Sequence, residues 1–110
     1  MRLPNAERAV VDTEKLRGYC LNVGHPRGRH KARVFLSALG LAASDAERLR
    51  NALLHAVVAE EAVLTETDEY GRRYQVDFDL INGNRTARVR SSWIVRRAED
   101  FPRMTSCYVL

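Results

Sequence analysis

The spacing of apolar residues in the first 60 positions is helical and predicts three helices. The first covers about residues 14–21, the second runs from about 29 to a stop at Gly40, and the third covers 44–59. Glycine and proline interrupt the pattern at 22–28 and predict a loop there. The apolar residues expected to face the core are Leu16, Tyr19, Cys20, Ala32, Phe35, Leu36, Leu39, Leu49, Ala52, Leu53, Ala56 and Val57.

Short polar motifs mark the start of two of these helices. Asp12 or Thr13 can cap the first helix, and the stretch from Ser44 to Glu47 has the pattern of a capping box. The arm before the first helix contains Val10 and is expected either to add an edge strand or simply to pack. The first and third helices therefore have predicted starting points, whereas the structure of the N-terminal arm stays open.

Beyond residue 60 the apolar residues alternate with polar ones, and this pattern predicts strands. Four strands are expected, over 63–67, 74–80, 87–96 and 103–110. Helices followed by strands with short loops predict an α+β fold, with three N-terminal helices packed on one face of a four-stranded antiparallel sheet. The 110 residues are expected to form a single domain over 1–110, with the arm and helices in 1–60 and an antiparallel meander in 61–110.

The central hairpin has two possible registers. A turn centred on Asn82 and Gly83 places Asp77 opposite Arg88, whereas a turn shifted by one residue places Asp77 opposite Arg90. Both registers keep apolar residues on one face and set an acid opposite a base on the other. The pattern therefore predicts the hairpin and leaves its register open.

Composition and charge narrow the class of protein. Hydrophobic residues make up 45% of the chain and charged residues 29%, as in ordinary folded proteins. No apolar stretch approaches the roughly 20 residues of a membrane span, and no secretion signal opens the chain, so we expect a cytoplasmic protein without a membrane partner. Cys20 and Cys107 lack metal-site spacing and are expected to be two packed thiols.

The basic residues favour a polyanionic partner. The net charge is +4, and among 18 basic residues only Lys15 and Lys31 are lysines. The densest basic group lies where the 22–28 loop meets the second helix and comprises His25, Arg27, Arg29, His30, Lys31 and Arg33. Cations at a helix N-terminus are unfavourable unless an anion binds there, and such a conflict is typical of functional sites. The alternative is a solvated helix face, with His25 packed in a turn.

Two groups on the predicted sheet could contribute to the same site. Arg88, Arg90 and Arg96 occupy alternate positions, and neighbouring alternate positions lie about 7 Å apart on one face, close to the phosphate spacing of a nucleic acid strand. In the alternative interpretation, Asp77 and Asp79 pair with these arginines. Hydroxyl groups occur along the last strand at Thr105, Ser106 and Tyr108. No motif for a metal site, a phosphate loop or a serine triad is present.

Several motifs carry a resemblance to a known family. The chain opens with Leu3-Pro4-Asn5-Ala6 and has a His-Pro-x-Gly-x-His-Lys-Ala motif from His25 to Ala32. Further matching stretches are Tyr19-Cys20-Leu21-Asn22, Glu69-Tyr70-Gly71, Ser92-Trp93-Ile94-Val95 and Phe101-Pro102-Arg103 to Tyr108. The chain resembles an uncharacterised bacterial family that occurs as small proteins and at the C-terminal tips of polymorphic toxins. Such tips are similar to the barnase, EndoU, colicin and RelE group of metal-independent ribonucleases.

This resemblance implies a toxin-like ribonuclease domain that uses no metal or other cofactor. RNA and an acidic antitoxin or immunity protein are the implied partners. RNA cleavage needs proton transfer, expected from His25 or His30, and positive charge at the phosphate, expected from Lys31 and Arg90. Thr105 or Tyr108 is expected to orient the scissile group. Phosphate-binding residues are expected at Arg27, Arg29, Arg88 and Arg96.

The alternative function is a non-catalytic one. A protein-binding or immunity-type module would use the same basic face only to contact a partner. One feature departs from what the resemblance implies, because His55, the third histidine, lies on the predicted third helix and not on the sheet. A mechanism with two histidines would then need both from one loop and helix start.

Overall fold

Helical elements occupy the first half of the chain and strands the second half, as the sequence predicted. The computed structural model describes residues 1–110. The helices are α1 (Thr13–Lys15, continued by a π-helical turn, Leu16–Cys20), α2 (Arg29–Leu39) and α3 (Ala46–Ala59), with single 3-10 turns at Ala6–Arg8 and Ala43–Asp45. The strands are β1 (Val63–Asp68), β2 (Gly71–Asn82), β3 (Arg85–Arg96) and β4 (Pro102–Val109).

The helix ends follow the predicted signals in two cases out of three. The Asp12 carboxylate caps α1 by accepting a hydrogen bond of 3.0 Å from the Glu14 N–H. Gly40 ends α2 with φ of 68°, a conformation that glycine adopts without a Cβ penalty. The capping box predicted for the start of α3 is wrong in its residues, because the Asp45 carboxylate, and not Ser44, closes this turn by accepting from the Ala42 N–H at 2.9 Å.

One predicted core residue of α2 lies at the surface. Ala32, Phe35 and Leu39 are buried, but Leu36 is 43% exposed. Successive helical residues lie 100° apart, so Leu36 falls on the flank of the stripe that the other three residues centre. The helical prediction is confirmed, and the assignment of Leu36 to the core is wrong.

The sheet has the strand order β1-β2-β3-β4 with every neighbouring pair antiparallel. The structure selects the second hairpin register, with Asp77 opposite Arg90 and Asn82 opposite Arg85. The turn is thus formed by residues 83 and 84, and Gly83 takes the positive φ of 64° at its first central position. An α+β fold with helices on one face of an antiparallel sheet is confirmed.

The two faces of the sheet differ in character. The core face carries Tyr74, Val76, Phe78, Leu80, Val89, Ser91, Trp93, Met104 and Cys107, which pack with the helices. The opposite face, which we call the open face, carries Arg73, Gln75, Asp77, Asp79, Arg88, Arg90, Ser92, Ile94, Arg103, Ser106 and Tyr108. The alternation of side chains along each strand therefore places almost all polar strand residues on one surface.

The edge of the sheet at β4 has two irregular features. The N-terminal arm forms a one-residue parallel bridge, in which the Val10 N–H donates to the Pro102 carbonyl at 2.9 Å and the Met104 N–H donates to the Val10 carbonyl at 3.0 Å. Thr105 is the extra residue of a β-bulge between Met104 and Ser106. No helix in the structure has the length and apolar character that crossing a membrane requires.

Cys20 and Cys107 are both reduced and buried in the core. Their side chains interact, so the pKa of Cys20 is lowered by hydrogen bonding from Cys107, while the pKa of Cys107 is raised by the same contact and by burial. The prediction of two packed thiols is confirmed, and the additional finding is that they pack against each other.

Candidate functional site

Three of the predicted site residues meet at one end of the open face. The Lys31 ammonium lies 4.4 Å from the centre of the Tyr108 ring, within cation–π range. Tyr108 stands directly opposite Arg90 in the β3–β4 register. We call Lys31, Tyr108 and Arg90 the Lys31 cluster. Its members come from α2, β4 and β3, so segments far apart in sequence contribute to one surface.

The position of α2 explains how a helical residue reaches the open face. β4 is an edge strand, and α2 packs against β3 and β4 with Ala32 and Phe35 turned inward. Lys31 lies about 100° around the helix from Ala32 and about 40° from Phe35, so it falls on the flank of the buried stripe. Its long side chain can extend past the last strand to the Tyr108 ring, while its charge stays exposed to solvent.

Arg90 is held firmly but is already paired. Its Nε donates to Asp77 Oδ1 at 3.0 Å and its Nη2 to Oδ2 at 2.9 Å, a bidentate arrangement. Hydrogen bonding to Asp77 raises the pKa of Arg90. Lys31 forms no ion pair. Lys31 therefore supplies the unneutralised positive charge of the cluster, and Arg90 supplies oriented N–H groups.

The other hairpin arginines lie away from the cluster or are neutralised. Arg88 pairs with Asp79 at 3.2 Å, at an exposed position. Arg96 forms no ion pair but lies six residues along β3 from Arg90, which corresponds to about 20 Å. The predicted row of arginines thus does not act as one surface, because acids opposite two members pair with them.

His25 organises the loop that precedes α2. Its Nδ1 accepts hydrogen bonds from the N–H groups of Arg27 at 3.0 Å and Gly28 at 3.1 Å, so a neutral ring carries its proton on Nε2. The ring also packs edge-on against Tyr19, with centroids 4.6 Å apart. A Cβ at Gly28 would come within 2.9 Å of the Tyr19 carbonyl oxygen, which shows how closely the loop approaches α1.

The remaining basic residues of this region point into solvent. Arg27, Arg29 and His30 are exposed, and His30 lies about 100° around α2 from Lys31. The structure therefore gives no contact between either predicted histidine and the Lys31 cluster. His55 is exposed on α3 and lines a cavity of about 380 Å³ with Phe78 and Ile81, away from α2.

Sequence reasoning gave no role to a second polar group on the open face. Gln75, Ser92 and Ser106 lie side by side across β2, β3 and β4, each half-buried. Thr105, predicted as a site residue, is the bulge residue beside them. In the sequence, the only indication of a role for Ser92 and Ser106 was that each carries a hydroxyl group. Their alignment with Gln75 depends on the hairpin register and on the bulge, which the sequence did not determine.

Comparison with solved structures supports the fold. One similar chain comes from a structure described as "Contact-dependent growth inhibition toxin - immunity protein complex from Klebsiella pneumoniae 342". The similarity covers 92% of this chain and 99% of that chain, with a TM-score of 0.71 and 17% sequence identity. At this identity, the similarity shows that the two chains share a fold, that is, an arrangement of helices and antiparallel strands.

The family of this chain is established by its sequence. A family model described as "Domain of unknown function (DUF6883)" matches residues 2–110, so the chain belongs to this family. No curated protein matches the chain. The resemblance to a domain of unknown function is therefore confirmed, and the relation to ribonucleases stays a prediction.

Proposed function

We propose that this domain is a toxin-type effector that binds and cleaves RNA at the open face. The observation that carries the proposal is the convergence of Lys31, Tyr108 and Arg90 from three distant segments. A lysine without an acidic partner, next to an oriented guanidinium and a phenolic hydroxyl, is suited to bind a phosphodiester. The net charge of +4 and the fold shared with a chain of a toxin–immunity complex support this function.

RNA cleavage without a metal uses the 2′-hydroxyl as nucleophile. The 2′-oxygen loses its proton and attacks phosphorus, the bond to the 5′-oxygen breaks, and that oxygen gains a proton, which leaves a cyclic phosphate. We assign Lys31 and Arg90 to the negative charge that develops on the phosphate oxygens. The Tyr108 hydroxyl then orients the scissile group.

The two histidines take different roles in this proposal. Protonation of His25 at Nδ1 would break its hydrogen bonds with Arg27 and Gly28, so His25 is better suited to hold the loop than to transfer protons. His30 forms no side-chain hydrogen bond and is exposed beside Lys31 in sequence. We therefore propose that His30 takes the 2′-hydroxyl proton and returns it to the 5′-oxygen when RNA lies along the start of α2.

An acidic protein partner fits the same surface. Arg27, in the loop before α2, and Arg29 and Lys31, in its first turn, form no ion pair within the chain. We propose that an antitoxin or immunity protein places carboxylates there and covers the open face, which would block RNA. The effector would act in the cytoplasm, where its RNA substrate is found.

A protein-binding function without catalysis is the second candidate. It is favoured by the ion pairs of Arg88 with Asp79 and Arg90 with Asp77, which leave Lys31 as the free cation of the cluster. Expression in a bacterial host separates the two candidates. The effector is supported if the wild-type protein arrests growth and the His30→Gln variant does not. Unimpeded growth with the wild-type protein supports the binding module.

Cleavage itself is tested with purified protein and total RNA, with and without EDTA. We expect fragments that end in cyclic phosphate at the same rate in both conditions, since the proposed site uses side chains alone. With His30→Gln, RNA fragments should form at least about a hundredfold more slowly, the lower end of a general-base contribution. RNA that stays intact with wild-type protein between about pH 5 and 8, where histidine titrates, would refute the proposal.

A further inference from the structure

The middle of the open face carries three uncharged polar side chains in one row. Gln75 is opposite Ser92 in the β2–β3 register, and Ser92 is opposite Ser106 in the β3–β4 register. All three are half-buried, and none of them forms a side-chain hydrogen bond within the chain. Polar groups that are partly removed from water and unpartnered are available to a ligand.

The neighbouring rows differ chemically from this one. On one side lies the row of Asp77, Arg90 and Tyr108, next to Lys31. On the other side Ile94 is only 6% exposed, between Arg73 and Arg103. These two arginines are paired, Arg73 with Asp68 at 2.8 Å and Arg103 bidentately with Glu99 at 2.9 and 2.8 Å. The uncharged row therefore lies between the row that adjoins the free Lys31 cation and a row whose two arginines are neutralised by acids.

Acidic residues fix which end of the face can take a phosphate. Gln75 also lines a cavity of about 370 Å³ together with Glu60, Glu61, Val63 and Asp77. Arg88 also lines this cavity but pairs with Asp79, Glu61 pairs with the N-terminal ammonium, and Asp77 pairs with Arg90. The charge left there without a partner is that of the exposed Glu60, which repels a phosphate, whereas Lys31 attracts one at the other end. A nucleotide on this face would thus direct its phosphate toward Lys31 and its base toward Gln75.

We propose that Gln75, Ser92 and Ser106 form a subsite that recognises the base of the bound RNA. The inference rests on the proposed function, because it assigns the base of the substrate whose phosphate binds at the Lys31 cluster. Gln75 is displaced from Arg90 by one row, about 7 Å, and by one strand, about 4.8 Å. A phosphate on the Arg90 side of the Lys31 cluster would therefore lie about 8 Å from Gln75, comparable to the reach from phosphate to base within one nucleotide. Base edges that are exposed in single strands are read by hydrogen bonds of this kind.

The chemistry of the row suits an uncharged base. The Gln75 amide presents a donor and an acceptor side by side, so it can form two hydrogen bonds with one base edge. The hydroxyl groups of Ser92 and Ser106 can each donate or accept. The paired guanidinium of Arg103 offers a planar surface against which a base can pack.

The test measures binding without cleavage. Fluorescence anisotropy with four labelled 2′-O-methyl homo-oligonucleotides, one for each base, removes the 2′-hydroxyl nucleophile. We expect the wild-type protein to bind one of the four at least about tenfold more tightly than the weakest, as a bidentate base contact supplies. Gln75→Ala should reduce this ratio to about twofold. Thr86→Ala removes an exposed hydroxyl on the same strand as Ser92 and should leave the ratio unchanged.

Each outcome decides the inference. Equal binding of all four oligonucleotides, no binding, or the wild-type ratio in Gln75→Ala would overturn the subsite. Ser92→Ala, which loses one hydroxyl and no intramolecular hydrogen bond, gives the same comparison if Gln75→Ala does not fold. Base-selective binding without cleavage of natural RNA would support the subsite and refute the ribonuclease, whereas cleavage without base selectivity would refute the subsite alone.

Discussion

Replacing Ser91 by alanine tests how a buried polar network holds the core face. Ser91 and Trp93 are both fully buried on β3. The Ser91 hydroxyl donates to the Val76 carbonyl at 2.7 Å and accepts from the Trp93 indole N–H at 2.9 Å. No buried side-chain nitrogen or oxygen in the structure lacks a partner, so this network is complete. Ser91→Ala removes the group that links its other two members.

The expected loss of stability follows from the groups left unpaired. A buried donor without an acceptor costs about 1–3 kcal/mol, and a carbonyl that loses one of two possible partners costs less. We expect Ser91→Ala to lower the free energy of unfolding by about 2 kcal/mol. For 110 residues this corresponds to a fall in Tm of about 9 °C, because the unfolding entropy grows with chain length.

Urea unfolding of Ser91→Ala and Ser92→Ala provides the matched comparison. Ser92 is the next residue, lies on the open face and forms no side-chain hydrogen bond, so its loss should cost less than about 0.5 kcal/mol. In a Trp93→Phe background, which lacks the indole N–H, Ser91→Ala should cost about 1 kcal/mol less than in the wild type. Equal losses for the two serine variants would refute the reasoning.

Two further predictions concern the backbone and the surface ion pairs. Gly71→Ala should destabilise by about 3 kcal/mol or more, because φ is 148° and a Cβ would overlap the Val95 carbonyl oxygen. Gly18→Ala, where a Cβ meets nothing within 4 Å, should not destabilise in the same thermal unfolding experiment. Arg103 lowers the pKa of Glu99 mainly by hydrogen bonding, so this pair stabilises the fold above about pH 4.3, the unfolded value, and loses its effect as the pH falls. Glu99→Gln should therefore reduce the difference in unfolding free energy between pH 7 and pH 3, and an unchanged difference would contradict this assignment.

Periodicity was sufficient to predict the fold because its signal repeats along each element. Alternation from Tyr74 to Leu80 and helical spacing from Ala32 to Leu39 are each confirmed by burial. The hairpin register could not be predicted, since both alternatives paired Asp77 with an arginine. In the structure, the turn is formed by residues 83 and 84, and Gly83 takes the positive φ that this turn requires, which sets the register.

The candidate site was predictable in its residues but not in its arrangement. Lys31, Arg90 and Tyr108 were chosen for their chemistry, and the contact among them depends on an edge strand beside α2 that no local pattern reveals. His25 and His30 were grouped because they are close in sequence. The structure separates them, since one ring accepts backbone hydrogen bonds and the other projects into solvent.

The rate of RNA cleavage by two lysine variants tests the central claim most directly. Lys31→Met keeps a side chain of similar length but removes the free cation of the cluster, and Lys15→Met makes the same change on α1, at the only other lysine. We predict that Lys31→Met cleaves at least about tenfold more slowly than the wild type, a loss of about 1.4 kcal/mol of transition-state stabilisation, while Lys15→Met cleaves at the wild-type rate. Equal rates for the two variants would contradict the assignment of the open face as the RNA site.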